Sequence, residues 1–370
     1  MRFLVPRGAP ALSPARLSVI TVIGVIVMSE PTSPRPAPVS SPSPSSAPSP
    51  SPASVPTLGV SHRPYTAVAA LIAAAACWGF GTVTSKQVVD DVTPLTLLPA
   101  QLAVSCALLV AVALVRREPF AWTPSMRRLA ALGALNPGAA YALGLVGLTS
   151  ITASMYVLLW ATEPVVILLL AALVLREHIS PGLAVLVAVA VLGVLVVVYR
   201  PGAAGDTVGI VLTLVSVGFC AAYSVLTRRM LLDDSALAVV LAQQAVALAF
   251  AAVLATIVTL AGGTGWDLSG PNTSAWLGAA VSGILYYGLG FWFFVTALRR
   301  VPASYAGAFL PLIPVFGLAA GYLTGERLDA RQWVGAVVIV TAVLAVALLP
   351  RRMGTARADA TPTSGERCRG

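Results

Sequence analysis

The sequence predicts an all-α integral membrane protein: ten transmembrane helices arranged as two inverted five-helix repeats. Three observations predict this. The apolar residues fall in blocks of about 20, the length a helix needs to cross ~30 Å of hydrocarbon. Across the chain 58% of residues are hydrophobic and 10% charged, with a mean hydropathy of +0.88, whereas a soluble domain carries about 25% charged residues. Finally, the second half of the chain repeats the first.

In chain order, residues 1–64 read as a cytoplasmic tail. Its tract "PTSPRPAPVSSPSPSSAPSPSPASVP" is too polar and proline-rich to bury a core and is expected to be disordered. Leu17–Met28 is apolar for only 12 residues, closer to a signal-peptide core than to a span. Met28 opens "MSEPTSPRP" and would serve as a start, so residues 1–27 are open to being read as an over-extended start. From residue 66 the apolar blocks predict helices over 66–88, 95–115, 128–148, 151–175 and 182–199, then 208–228, 236–261, 275–298, 303–323 and 332–349. These form a first repeat over 66–199 and a second over 208–349. Proline and glycine punctuate the short connections, and residues 350–370 form a C-terminal tail.

Basic residues set the orientation. With the N-terminus inside, twelve arginines (Arg63, Arg116, Arg117, Arg127, Arg128, Arg176, Arg228, Arg229, Arg299, Arg300, Arg351, Arg352) lie inside, against Lys86, Arg200, Arg327 and Arg331 outside. Both termini are therefore expected in the cytoplasm, with the protein in the cell (plasma or inner) membrane. The net charge of +9 belongs to these interfacial clusters, so no nucleic acid is expected as a partner. Cys77, Cys106, Cys220 and Cys368 form no CxxC pair, and His62 and His178 lie outside the apolar blocks. No metal or other cofactor is expected.

A shift of 143 residues pairs Cys77 with Cys220, Lys86 with Arg229 and Gln101 with Gln244; later a shift of 150 pairs Pro164 with Pro314 and "ASMY" with "ASYA". Five helices per copy is an odd number, so the second copy is inverted relative to the first, the architecture that alternating access uses.

The motifs "AACWGFGTVTSK", "EPVVILLLAALVLREHIS", "PLIPVFGLAAGYLTGERL" and "GAVVIVTAVL" resemble the drug/metabolite transporter superfamily, in its EamA repeat type, over residues 66–349. That resemblance implies ten helices and the export or exchange of small metabolites without ATP. One departure is Gln101, in the region where the family often carries an arginine near the start of the second helix.

The candidate site centres on Glu163. It lies 12 residues into the fourth block, about 18 Å deep at 1.5 Å per residue, where an unpaired charge costs ~2.5–3.5 kcal/mol. Tyr156, Trp160 and Glu163 share a helix face, and Pro164 removes the helical partner of the Trp160 carbonyl. Three roles stand open for Glu163: binding a cationic or amine-bearing substrate, exchanging protons, or packing against a neighbouring helix. Trp78, Asn136, Tyr141, Tyr223, Tyr286, Tyr287 and Trp292 are further pocket candidates. Trp122, Trp276 and Trp333 read better as interfacial anchors. Pro164, Pro311 and Pro314 are expected to bend helices, the last two freeing the carbonyls of Gly307 and Leu310. Glu177 and Glu326 are expected to pair with Arg176 and Arg327 in solvent.

An enzyme is not expected: no histidine reaches a span, the Asp90–Asp91 and Asp233–Asp234 pairs are too short for a magnesium motif, and no GxxxxGK[ST] loop is present. The expected function is secondary transport of small metabolites (amino acids, related compounds or drugs), as an exporter, by alternating access with Glu163 at the midplane. The alternative is a non-transporting structural or assembly membrane protein. The partners are a small-molecule substrate and the lipid bilayer, with protons left open; the sequence does not give the oligomeric state.

Overall fold

The computed structural model describes residues 64–88, 91–148, 150–151, 156, 159–198, 206–231, 234–268, 272–323 and 329–349. Residues 1–63 of the predicted N-terminal tail, the C-terminal tail, Glu326, Asp90, Asp233 and several residues of the predicted 151–175 helix lie outside the described residues.

Local chemistry explains where the helices start. Helices α1 (Pro64–Val88) and α2 (Pro94–Arg116) open on proline, which has no N–H to leave unpaired in a first turn. Helix α2 stops where Arg117 turns left-handed at φ 50°. Thr123 caps α3 (Pro124–Gly133) by accepting from the Met126 N–H at 3.1 Å. A wide turn over Ala134–Ala139 then separates α3 from α4 (Ala140–Leu148). Its cause is local: Asn136 is extended (φ −147°, ψ 123°), and a residue before proline avoids the helical region.

The next helices are α5 (Glu163–Leu170), which runs into a wide turn over Ala171–Leu175, and α6 (Pro181–Val198). In the second half, Asp206 caps α7 (Thr207–Met230), which α8 (Ala236–Leu260) follows. Asn272 caps α9 (Thr273–Ser282), and a wide turn over Gly283–Gly290 leads to α10 (Phe291–Leu298). Helices α11 (Ala303–Gly307) and α12 (Leu312–Leu323) are joined by a tight turn. An Asp329–Gln332 capping box starts α13 (Ala330–Leu348).

Among the described residues seven helical segments are long and apolar enough to cross a membrane, and Glu163–Leu175 and Pro181–Val197 are shorter apolar helices. The break at Asn136 divides the third segment, and the fourth is not one helix over 151–175. Leu159 and Trp160 are helical, Ala161–Thr162 form a turn, and the helix restarts at Glu163.

Side chains partition as in a lipid-bathed bundle. Helix α6 has no charge; it buries Leu183, Val187, Ala190, Val194 and Val197 and exposes Val185, Val189, Leu192 and Val196. Both faces are apolar, so the outer one requires hydrocarbon rather than water.

The packing exchanges the two halves. Helix α1 packs against α12 and the α9–α10 segment, while α7 packs against α5, α4 and the Ala134–Ala139 turn; α2 packs on α8, and α6 on α13. Equivalent residues make equivalent contacts. A Cβ on Gly283 would meet the Gln101 carbonyl oxygen at 2.6 Å, and a Cβ on Gly133 would overlap that of Gln243. Gln101 Nε2 donates to Ser85 Oγ and Gln243 Nε2 to Thr227 Oγ1. Gln243 Nε2 also reaches the Leu129 carbonyl directly; Gln101 reaches the equivalent Ala279 carbonyl through the Ser282 hydroxyl. The contacts therefore match Gln101 with Gln243, a shift of 142 rather than 143. Sequence identity alone had favoured Gln244, which instead donates to the Tyr287 carbonyl at 3.0 Å.

Candidate functional site

A cavity of about 260 Å³ opens where the break at Asn136, the restart at Glu163 and the Gly283–Gly290 turn face α1 and α7. Each interruption contributes a side chain to the wall: Asn136, Glu163 and Tyr286. Trp78, Asn136, Tyr141, Tyr156, Trp160, Glu163, Tyr223 and Tyr286 line it, together with Pro164, Pro311 and Pro314.

Two candidates do not line it. Tyr287 sits behind the wall, its ring stacked on Phe291 at 6.3 Å. Trp292 lies on the far side of its helix, beneath the Arg116 guanidinium at 4.9 Å. Successive aromatics on one helix point about 100° apart, so the run Tyr286–Tyr287 and Phe291–Trp292 could not all have faced inwards.

The cavity draws on equivalent positions of both halves. At a spacing of 142, Trp78 matches Cys220 and Thr82 matches Ser224. At 150, Asn136 matches Tyr286, Tyr141 matches Phe291, Trp160 matches Leu310 and Glu163 matches Ile313. Every one of these residues lines the cavity. Cys220, Ser224, Phe291 and Phe294 were not singled out from sequence as wall residues; a repeat register one residue shorter would have led from Trp78 to Cys220.

Among the described residues Glu163 is the only Asp, Glu, Lys, Arg or His side chain on the wall. It makes no hydrogen bond or ion pair with another described residue. Its position in the first turn of α5 sets it at the positive end of the helix dipole, which favours a carboxylate there. Pro164 is the second residue of α5 and initiates that helix rather than bending it. The carbonyls of Gly307 and Leu310 are not free either: they accept from the N–H groups of Leu310 and Ile313 at 3.1 and 2.9 Å, in tight three-residue turns.

The rest of the wall divides into satisfied and unsatisfied groups. Tyr141 and Tyr286 share a hydroxyl–hydroxyl bond of 2.6 Å, and the Tyr223 hydroxyl donates to Gln243 Oε1 at 2.8 Å. Among the described residues, Trp78 Nε1, Trp160 Nε1 and Asn136 Oδ1 are buried without a hydrogen-bond partner. Such groups are costly unless something pairs with them. The cavity thus offers two indole donors, an amide acceptor and a carboxylate to a ligand with both donors and acceptors. None of the wall residues forms a cluster that could hold a metal ion, among the described residues.

Comparison with known proteins places this geometry. The model of the EamA-like transporter family matches residues 65–199 and again 207–348. The chain belongs to the EamA-like transporter family. This EamA-like protein is therefore a multi-pass membrane protein of a transporter family, not of an enzyme family, with a small-molecule substrate and a bilayer as its setting. Among the solved chains that match, one crystal structure, described only as that of a protein, superposes with a TM-score of 0.65 at 19% identity, covering 76% of this chain and 96% of its own. At that identity it shows the fold alone. No curated protein matches the chain.

Proposed function

We propose that this EamA-like protein is a secondary transporter that exports small metabolites, amino acids or related compounds and drugs, by alternating access. The single observation that carries the reading is the Glu163 carboxylate, which no other described residue pairs with, in a cavity to which both halves contribute equivalent positions. A charge without a partner at that depth is retained where a substrate or ion meets it. The exchange of contacts between the halves supports two inverted five-helix repeats, since two similar bundles can trade conformations around a fixed site. Basic residues on the connections support both termini being cytoplasmic, in the plasma or inner membrane.

Solute counterflow in proteoliposomes tests this, with a pooled metabolite panel and wild type beside Glu163→Gln. Wild-type protein is expected to exchange at least one compound, and the variant to lose that exchange by about tenfold or more, equivalent to ~1.4 kcal/mol. Exchange that persists unchanged in the variant would remove Glu163 from the pathway.

A further inference from the structure

We infer that the cavity selects a monocationic amine or quaternary ammonium on an apolar body, and disfavours anions. This rests on the transport reading and narrows its substrate class. When ionised, Glu163 supplies a negative charge to a wall that carries no lysine, arginine or histidine among the described residues. An anionic ligand would enter a cavity with no counter-charge and a resident carboxylate, where repulsion is little screened. A neutral ligand would leave that carboxylate unpaired.

The wall beside Glu163 is also suited to a cation. Trp78, Tyr286, Tyr141, Trp160 and Tyr156 form one continuous chain of rings, with successive centroids 6.5, 5.7, 6.0 and 5.9 Å apart. Ring faces attract ammonium groups, and an aromatic enclosure tolerates a quaternary nitrogen that donates no hydrogen bond. The unpaired Asn136 Oδ1 would take one N–H of a primary amine, and the indole N–H groups of Trp78 and Trp160 await an acceptor on the ligand body. The repeat-equivalent of Glu163 is Ile313, so the charge recognition lies on one side and the apolar body faces the other half.

Binding to purified protein in lipid nanodiscs, followed by calorimetry, tests the inference with four probes of one size. Benzylamine and benzyltrimethylammonium are expected to bind saturably; benzyl alcohol and benzoate are expected to bind at least about tenfold more weakly. Glu163→Gln is expected to lose at least about tenfold in affinity for both cations, and Glu163→Asp, which keeps the charge, to retain most of it. A monodisperse elution profile shows that each variant folds. Benzoate or benzyl alcohol binding as tightly as the cations, cations bound equally by Glu163→Gln, or no binding of any probe would each overturn the inference. Counterflow of each probe separates it from the transport reading. Exchange of an anion or neutral solute would leave transport standing and remove the cation selectivity, whereas cation binding without exchange would do the reverse.

Discussion

Gln243 and Glu163 show how differently two polar side chains can behave in an apolar bundle. Gln243 is buried with every polar group engaged: Oε1 accepts from Tyr223, and Nε2 donates to the Leu129 carbonyl and to Thr227. Glu163 has none. The contrast separates packing from function, and it yields opposite expectations. Tyr223→Phe removes one donor and leaves a buried amide oxygen unpaired, so thermal unfolding in detergent should report a loss of about 1–3 kcal/mol. Glu163→Gln removes an unpaired charge and should leave stability unchanged or raise it, while abolishing exchange. A large loss of stability in Glu163→Gln would mark that carboxylate as a packing group. Glu163 was legible in the sequence because a lone charge in a 25-residue apolar run is conspicuous. Trp292 was misread as a wall residue because a tryptophan in such a run carries no sign of which face it occupies.

At the scale of elements, proline marks three interruptions in the sequence but not their form, and none marks the wide turns over Ala171–Leu175 and Gly283–Gly290. Asn136–Pro137, Glu163–Pro164 and Pro311–Pro314 all coincide with breaks, yet the helices restart there instead of bending, because the chain inserts a turn ahead of Pro164 and tight three-residue turns at Pro311. Glu177 was misread for a related reason. Its sequence neighbour Arg176 suggested a solvated pair. Arg176 in fact adopts φ 54° at the end of the Ala171–Leu175 turn, and Glu177 reaches the start of α11 in the other half. There it accepts from the N–H groups of Ala303 and Ser304 at 2.9 and 3.1 Å and from the Ser304 hydroxyl. It supplies from a distance the cap that Pro302, the residue before α11, cannot provide with its own side chain. Glu177→Ala should therefore cost about 1–3 kcal/mol, with faster hydrogen exchange at Ala303 and Ser304. Unchanged protection at those two amides would mean the cap contributes nothing.

For the whole molecule, the membrane class and the repeat were legible because hydropathy and spacing are properties of the entire chain. The contact surface between the halves was not, because small residues are common in membrane helices wherever they lie. The structure shows which ones matter. Gly193 and Gly335 face each other where α6 crosses α13: a Cβ on either would meet the other's carbonyl oxygen, at 3.2 Å from Gly193 and 2.8 Å from Gly335. Gly133 and Gly283 sit against the backbones of Gln243 and Gln101, one contact on each side of the relation between the halves. Backbone cannot rotate aside as a side chain can, so alanine at either position must push a helix away. Overpacking of this kind costs about 1–3 kcal/mol or more. By contrast, a Cβ on Gly218 of α7 would meet nothing within 4 Å, and Gly218→Ala should be neutral or stabilising by up to about 1 kcal/mol through helix propensity alone. Thermal unfolding of the three variants in one detergent separates the effects. Gly133→Ala and Gly283→Ala should both be destabilised, and Gly218→Ala should not. If only one of the first pair lost stability, the two halves would not share the interface equally, and a cavity balanced between them would lose its physical basis.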